Sequence, residues 1–198
     1  MSSVKPLRAR IFASSDSRYA ASIPLAFPQL AFFTDDDVDL GLFVIEVDRG
    51  LSQEEIAAFQ LFRDLQIPTL ILVAGLIPQA NQDTWDFDDI VMLINRVLEK
   101  AVTPYLVLHD DDGIPSGLYD LDRDVVFEQR DDLRIERDAD PELKTMVVDF
   151  KDEWIEEDFK IEDFTSGLRV VAIPYLPERK VGVHETQLLI TRLQQAPL

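Results

Sequence analysis

The segment from Leu40 to Leu76 constrains this chain more than any other. Leu42-Phe43-Val44-Ile45-Glu46-Val47 and Thr69-Leu70-Ile71-Leu72-Val73 are short, nearly continuous apolar runs, as strands buried on both faces require. Between them, Ser52 and Glu55 have the spacing of a capping box, and Ile56, Phe59, Phe62 and Leu65 form a helical stripe that ends before Pro68. A strand, helix and strand joined by links this short make a βαβ unit with parallel strands. The alternation continues with a helix capped by Asp86, carrying Phe87, Ile90, Val91, Ile94 and Val97, with Lys100 near its C-terminal end. Leu168 to Ile173 reads as a further strand, and Gly182 precedes a helix with Val183, Leu189 and Leu193. Leu7 to Ala13 and Gln29 to Phe33 read as an edge hairpin. The expected fold is α/β, a mostly parallel sheet with helices on both faces.

Residues 101–166 break that pattern. Thr103 to Leu108, Gly117 to Leu121 and Val125 to Glu128 read as short strands. Asp140-Pro141 opens a helix expected to reach Phe159, with Leu143, Met146, Val147, Phe150 and Trp154 facing inward. The expected organisation is therefore an α/β domain over 1–100 and 167–198, with an inserted small α+β subdomain over 101–166. A length of 198 residues suits one domain so interrupted.

Charge marks the insert independently. The chain holds 38 acidic and 19 basic residues, a net of −19. Asp110 to Asp163 alone holds 21 acidic and 7 basic residues, a net of −14. On the helix from Pro141, the residues left outside are Asp149, Asp152, Glu153, Glu156 and Glu157, a candidate partner-binding face. Such a surface repels phosphate backbones and anionic lipid and favours a basic protein. The absence of cysteine removes disulfides and thiolate metal sites and fits a reducing cytosol. No apolar run approaches spanning length and no signal-peptide core follows the N-terminus, so a cytoplasmic location is expected.

Other constellations favour bland readings. His109 and His184 have no partner at metal-ligand or triad spacing. Asp120, Asp122 and Asp124 open like a calcium loop, but Val125 stands where the sharp turn needs glycine and Asp131 where a bidentate Glu is usual. Alternation on a half-exposed strand accounts for these aspartates. Asp110 to Gly113 reads as a solvated turn, and Asp35 to Asp37 as a charged loop shielding a sheet edge. Trp85 and Trp154 are expected in core or rim packing.

Taken in order, these elements resemble the GTPase domain of translation elongation factor G, with that family's inserted subdomain, and its divergent elongation-factor-G-like relatives. Val38-Asp39-Leu40-Gly41-Leu42-Phe43-Val44-Ile45-Glu46-Val47-Asp48-Arg49-Gly50-Leu51 is similar to the family strand reading roughly DGAVLVVDAVEGV. Ser52 to Leu65 resembles the helix that follows, and Gln66 to Val73 the strand YGVPRIVFV. Asp86 to Leu98, Val102 to Leu108, Gly117 to Leu121 and Val170 to Leu193 resemble later elements in the same order. The resemblance spans residues 7–195 and implies a P-loop-GTPase-like fold.

The departures bear on function. The family's G-x-x-x-x-G-K-[ST] loop cradles phosphates with backbone N–H groups and a lysine. The seven glycines here supply no such pair, and none is followed by lysine. The chain is expected to begin at the family's second strand, without the first strand and P-loop. The guanine-reading NKxD falls on Ala74-Gly75-Leu76-Ile77, the DTPGH on Thr34-Asp35-Asp36-Asp37, and the late base-supporting loop on Ile173-Pro174-Tyr175. Ala74, Gly75, Ile77, Ile173 and Pro174 are thus degenerate nucleotide positions. GTP and magnesium, the family's cofactors, lack their motifs. The resemblance implies a non-catalytic, translation-linked binding module with no catalytic residue, whose acidic insert meets a basic protein such as the ribosomal stalk. Two alternatives stand beside it: a GTP-hydrolysing domain completed by another chain, and a scaffold unrelated to translation.

Overall fold

The computed structural model describes residues 6–77, 85–130 and 133–196. Its main sheet has six strands: β1 (Leu7–Phe12), β2 (Leu30–Phe32), β3 (Leu40–Glu46), β4 (Thr69–Ala74), β5 (Ala101–Val102) and β10 (Val170–Tyr175). They lie in the order β2-β1-β3-β4-β10-β5, and every neighbouring pair is parallel. The continuous apolar runs have the expected cause, because both faces are covered. Leu42, Val44, Leu70, Leu72, Val171 and Ile173 point to one core, with α1 (Ile23–Ala26), α6 (Ile161–Thr165) and α7 (Val183–Gln195) against them. Phe43, Ile45, Ile71, Val73, Val170 and Ala172 point to the other, beneath α2 (Gln53–Asp64) and α3 (Phe87–Val97). Among the described residues no helix is long and apolar enough to cross a membrane.

Both helices of that second face start on capping boxes, Ser52 with Glu55 and Asp86 with Asp89. Phe59, Phe62, Ile90 and Ile94 are buried, whereas Leu65 lies beyond the end of α2 and is exposed, as is Val97. Gly41 lets α2 sit close to the sheet, since a Cβ there would lie 2.6 Å from Cδ1 of Phe62. The ring of Phe12 stacks on Phe43 at 4.5 Å and meets Phe62 edge-on at 4.9 Å.

Several expectations are corrected. The first two strands are not an edge hairpin, because β1 is internal and pairs in parallel with both β2 and β3. A parallel pair needs a crossover, here a 3-10 turn and α1, anchored by buried Tyr19, Ile23 and Phe27. A strand, a loop and a short helix precede the edge strand. Ile173 and Pro174 lie inside β10, fully paired with β4, and do not form a loop.

The second sheet is antiparallel, β6 (Tyr105–His109), β7 (Pro115–Asp120), β8 (Val125–Arg130) and β9 (Leu133–Asp138) in that order. It begins at Tyr105, and Ala101-Val102 belongs to the main sheet. Tyr105, Val107, Leu118 and Phe127 pack towards the main core, and Leu106, Leu108, Tyr119 and Val126 away from it. The outer side is covered by α4 (Pro141–Met146) and α5 (Val148–Glu157). The single helix expected over this stretch is broken at Val147. The restart changes the phase, so Val147 is buried while Met146 and Phe150 are exposed at 72% and 44%.

Candidate functional site

Doubly wound sheets bind ligands outside the strand carboxyl ends, where the strand order reverses. From β1 the chain goes to β2 on one side and then to β3 on the other, so the reversal lies between β1 and β3. A crevice of about 720 Å³ opens at that point, lined by Phe12, Ser14, Glu46, Arg49 and Ser52 among others. The loop after β1, Ala13-Ser14-Ser15-Asp16-Ser17-Arg18, stands between strand and helix as a phosphate-cradling loop does, yet it contains neither glycine nor lysine.

The charges of the crevice are committed to one another. Arg49 pairs with Asp16, and its Nη1 donates to Ser14 Oγ at 2.9 Å. That guanidinium holds the Asp16 carboxyl down at about 2. Arg49 Nε also lies 3.6 Å from Glu46 Oε2, on a carboxylate only 6% exposed whose Oε1 accepts no hydrogen bond from any described residue. Arg10 pairs with Asp36 and lies over the Phe12 ring, 4.5 Å from its centroid. The N-terminus of α2 is closed by its own capping box, with Glu54 and Glu55 in the first turn. An incoming phosphate would meet Asp16, Glu46 and Glu54 with no free cation arranged, among the described residues, to receive it. GTP with magnesium does not fit this donor set.

Among the described residues, the positions that the resemblance aligns with nucleotide contacts are not brought together in the crevice. Ala74, Ile173 and Pro174 are buried in strands, while Gly75 and Ile77 follow β4, with Ile77 packed on the core. Of the carboxylates on the helix expected to form the partner face, Asp149, Asp152, Glu153 and Glu156 are exposed on α5. Glu157 is not part of that face. Its side chain is 13% exposed and pairs with Lys100 and Arg169, fastening α5 to the main sheet.

Of the aspartates read as strand alternation, Asp120 ends β7, and Asp122 and Asp124 lie in the turn to β8. Asp120 Oδ1 accepts from the N–H groups of Asp122 and Arg123 at 2.9 and 3.0 Å. Asp124, in the left-handed region at φ +55°, takes hydrogen bonds from Tyr119 Oη and Lys151 Nζ. Asp131 lies outside the described residues. Asp110 caps its own turn, accepting from the N–H groups of Asp112 and Ile114. Asp35, Asp36 and Asp37 follow the edge strand β2 and pair with Arg8 and Arg10 on β1. Among the described residues no three His, Asp or Glu side chains are grouped to hold a metal. Trp154 packs on two core clusters, whereas Trp85 is 48% exposed. Sequence reasoning does not bring Asp16 and Arg49 together; the fold does.

The chain matches no protein-family model and no curated protein. Among solved structures, a protein from Thermus thermophilus resembles it with a TM-score of 0.64 and 19% sequence identity. The match covers 81% of this chain and 27% of that one, so the chain spans about a quarter of that protein's length. At this identity the likeness shows the fold alone.

Proposed function

We propose that this chain is a non-catalytic binding module, similar in element order to the elongation factor G GTPase domain, that does not hold GTP. It acts by binding a basic protein through the acidic face of α5, and the resemblance makes the ribosomal stalk the first partner to try. The observation that carries the reading is the crevice between β1 and β3. The site where a doubly wound fold receives phosphate presents Asp16 and buried Glu46, and both nearby guanidinium groups are paired with aspartates.

Isothermal titration with GDP and with GTP plus magnesium tests the first half, and no binding is expected. One-to-one binding of GDP tighter than about 10 µM, about 7 kcal/mol, would overturn it in favour of a GTPase domain completed elsewhere. Titration of the purified stalk domain at low and high salt tests the second half. Affinity should fall as salt rises and fall again in Asp152→Lys with Glu156→Lys, because exposed charges act over a Debye length of about 8 Å at physiological ionic strength. Affinity unmoved by either change removes the acidic face from the reading and leaves a scaffold role.

A further inference from the structure

A second concavity is lined by α3 and α5. A groove of about 650 Å³ runs between α3 and α5, floored by Leu106, Leu121 and the two-residue edge strand β5. Its apolar walls are unusually open for side chains of this kind. Met92 on α3 is 63% exposed and Phe150 on α5 is 44% exposed, with Val91 and Trp154 beside them. The rim is anionic, with Asp88 on α3 and Glu153 and Glu156 on α5. Asp88 is exposed on this rim, where desolvation by nearby protein atoms, with Asp86 and Asp89, raises its carboxyl and His109 opposes the shift. Lys100 also lines the groove, but it is already paired with Glu157.

We infer that this groove is a docking site for a basic amphipathic helix of a partner protein. The inference rests on the reading that α5 meets a basic protein, and adds how that protein is held. The two walls are helices of 11 and 10 residues, each about 15 Å long, the length of three helical turns. An incoming helix of that length can lay apolar residues at i, i+3 or i+4, and i+7 on Met92, Phe150 and Trp154, while lysine or arginine on its flanks meets Asp88, Glu153 and Glu156. Charge selects this occupant over the others. A second copy of the chain carries −19 and is repelled, as is an anionic lipid surface.

The test uses the full chain with Trp85→Phe, so that Trp154 in the groove is the only tryptophan. The probe is a 15-residue amphipathic leucine–lysine peptide, with a scrambled peptide of the same composition as control. The amphipathic peptide should change Trp154 emission and bind at least about tenfold more tightly than the scrambled one. Met92→Ser with Phe150→Ser, both at exposed positions, should lower its affinity at least about tenfold, and so should Glu153→Lys with Glu156→Lys. Asp110→Lys with Asp111→Lys, in an acidic turn outside the groove, should change it less than about threefold. Equal binding of the scrambled peptide, or equal losses in the two charge-reversal pairs, overturns the groove. The same variants separate this inference from the reading beneath it. If the groove serines leave binding of the stalk domain intact while Asp152→Lys with Glu156→Lys abolishes it, the groove is wrong and the acidic face stands. If charge reversal leaves the stalk domain bound while the peptide still seats on Met92 and Phe150, the groove stands and the choice of partner is wrong.

Discussion

Gly182, at the start of α7, has a φ of +77°, and a Cβ placed on it would lie 1.6 Å from the carbonyl oxygen of Pro174. Substitution must therefore move a central strand or the helix. Gly182→Ala is expected to lose at least about 2 kcal/mol in urea unfolding. Gly113 has a similar φ of +73° with nothing near its missing Cβ, so Gly113→Ala should lose only the backbone penalty of about 1 kcal/mol. Equal losses at the two sites would show that the contact with Pro174 is not tight. A second residue-level expectation concerns Asp16. Its folded pKa of about 2 lies below the ordinary value, so the pairing with Arg49 favours the fold above the unfolded pKa of about 4 and loses its effect as pH falls through about 2. Carboxyl chemical shifts followed by NMR should place the Asp16 midpoint near 2, and Arg49→Ala should raise it towards the ordinary value of about 4, with Ser14 still holding it somewhat below. At this scale the sequence is least legible. Asp16 and Arg49 are 33 residues apart, and nothing local to either announces the other.

Elements are more legible, and the departures have identifiable causes. Capping boxes and buried stripes disclose α2 and α3 because caps and amphipathic periodicity are local. Phe59→Ala should cost about 3–5 kcal/mol, whereas Gln60→Ala, on the exposed side of the same helix, should stay within about 0.5. Comparable losses at both positions would contradict the packing of α2. The direction of β2 is hard to read because it depends on a helix of only four residues, Ile23–Ala26. The signal available is Tyr19, Ile23 and Phe27, spaced four apart and all buried. Strand β9 escapes a hydropathy reading because Leu133-Arg134-Ile135-Glu136-Arg137-Asp138 looks polar. Its ion pairs reach the neighbouring strand and turn, Arg137 to Glu128 on β8 at 2.9 Å and Glu136 to Arg123 in the β7–β8 turn. Helices α4 and α5 read as one because the stripe of apolar residues continues through Val147, where the backbone does not.

Across the whole molecule, the acidic insert shares its core with the main sheet. Leu118 and Phe127 sit in the same cluster as Phe59 and Ile90. Arg134 on β9 reaches Glu185 on α7 at 2.7 Å, and that carboxylate is 2% exposed. Arg134→Met strands a buried charge and should cost about 3 kcal/mol, with most of it recovered when Glu185→Leu is added. If Arg134→Met alone is neutral, the pair does not bind insert to domain. Intact chain should unfold in one transition, with Trp fluorescence and far-UV circular dichroism coincident. The anchoring of α5 has a consequence for recognition. Trp154 is wedged between two clusters, Lys151 grips the β7–β8 turn through Leu121 and Asp124, and Glu157 is tied to Lys100 and Arg169. The acidic helix is thus already fixed in place, and a partner that lands on it need not order it first. The usual entropic cost of immobilising a flexible acidic segment is absent, and selectivity shifts from sequence-tolerant charge attraction to the shape of a rigid surface.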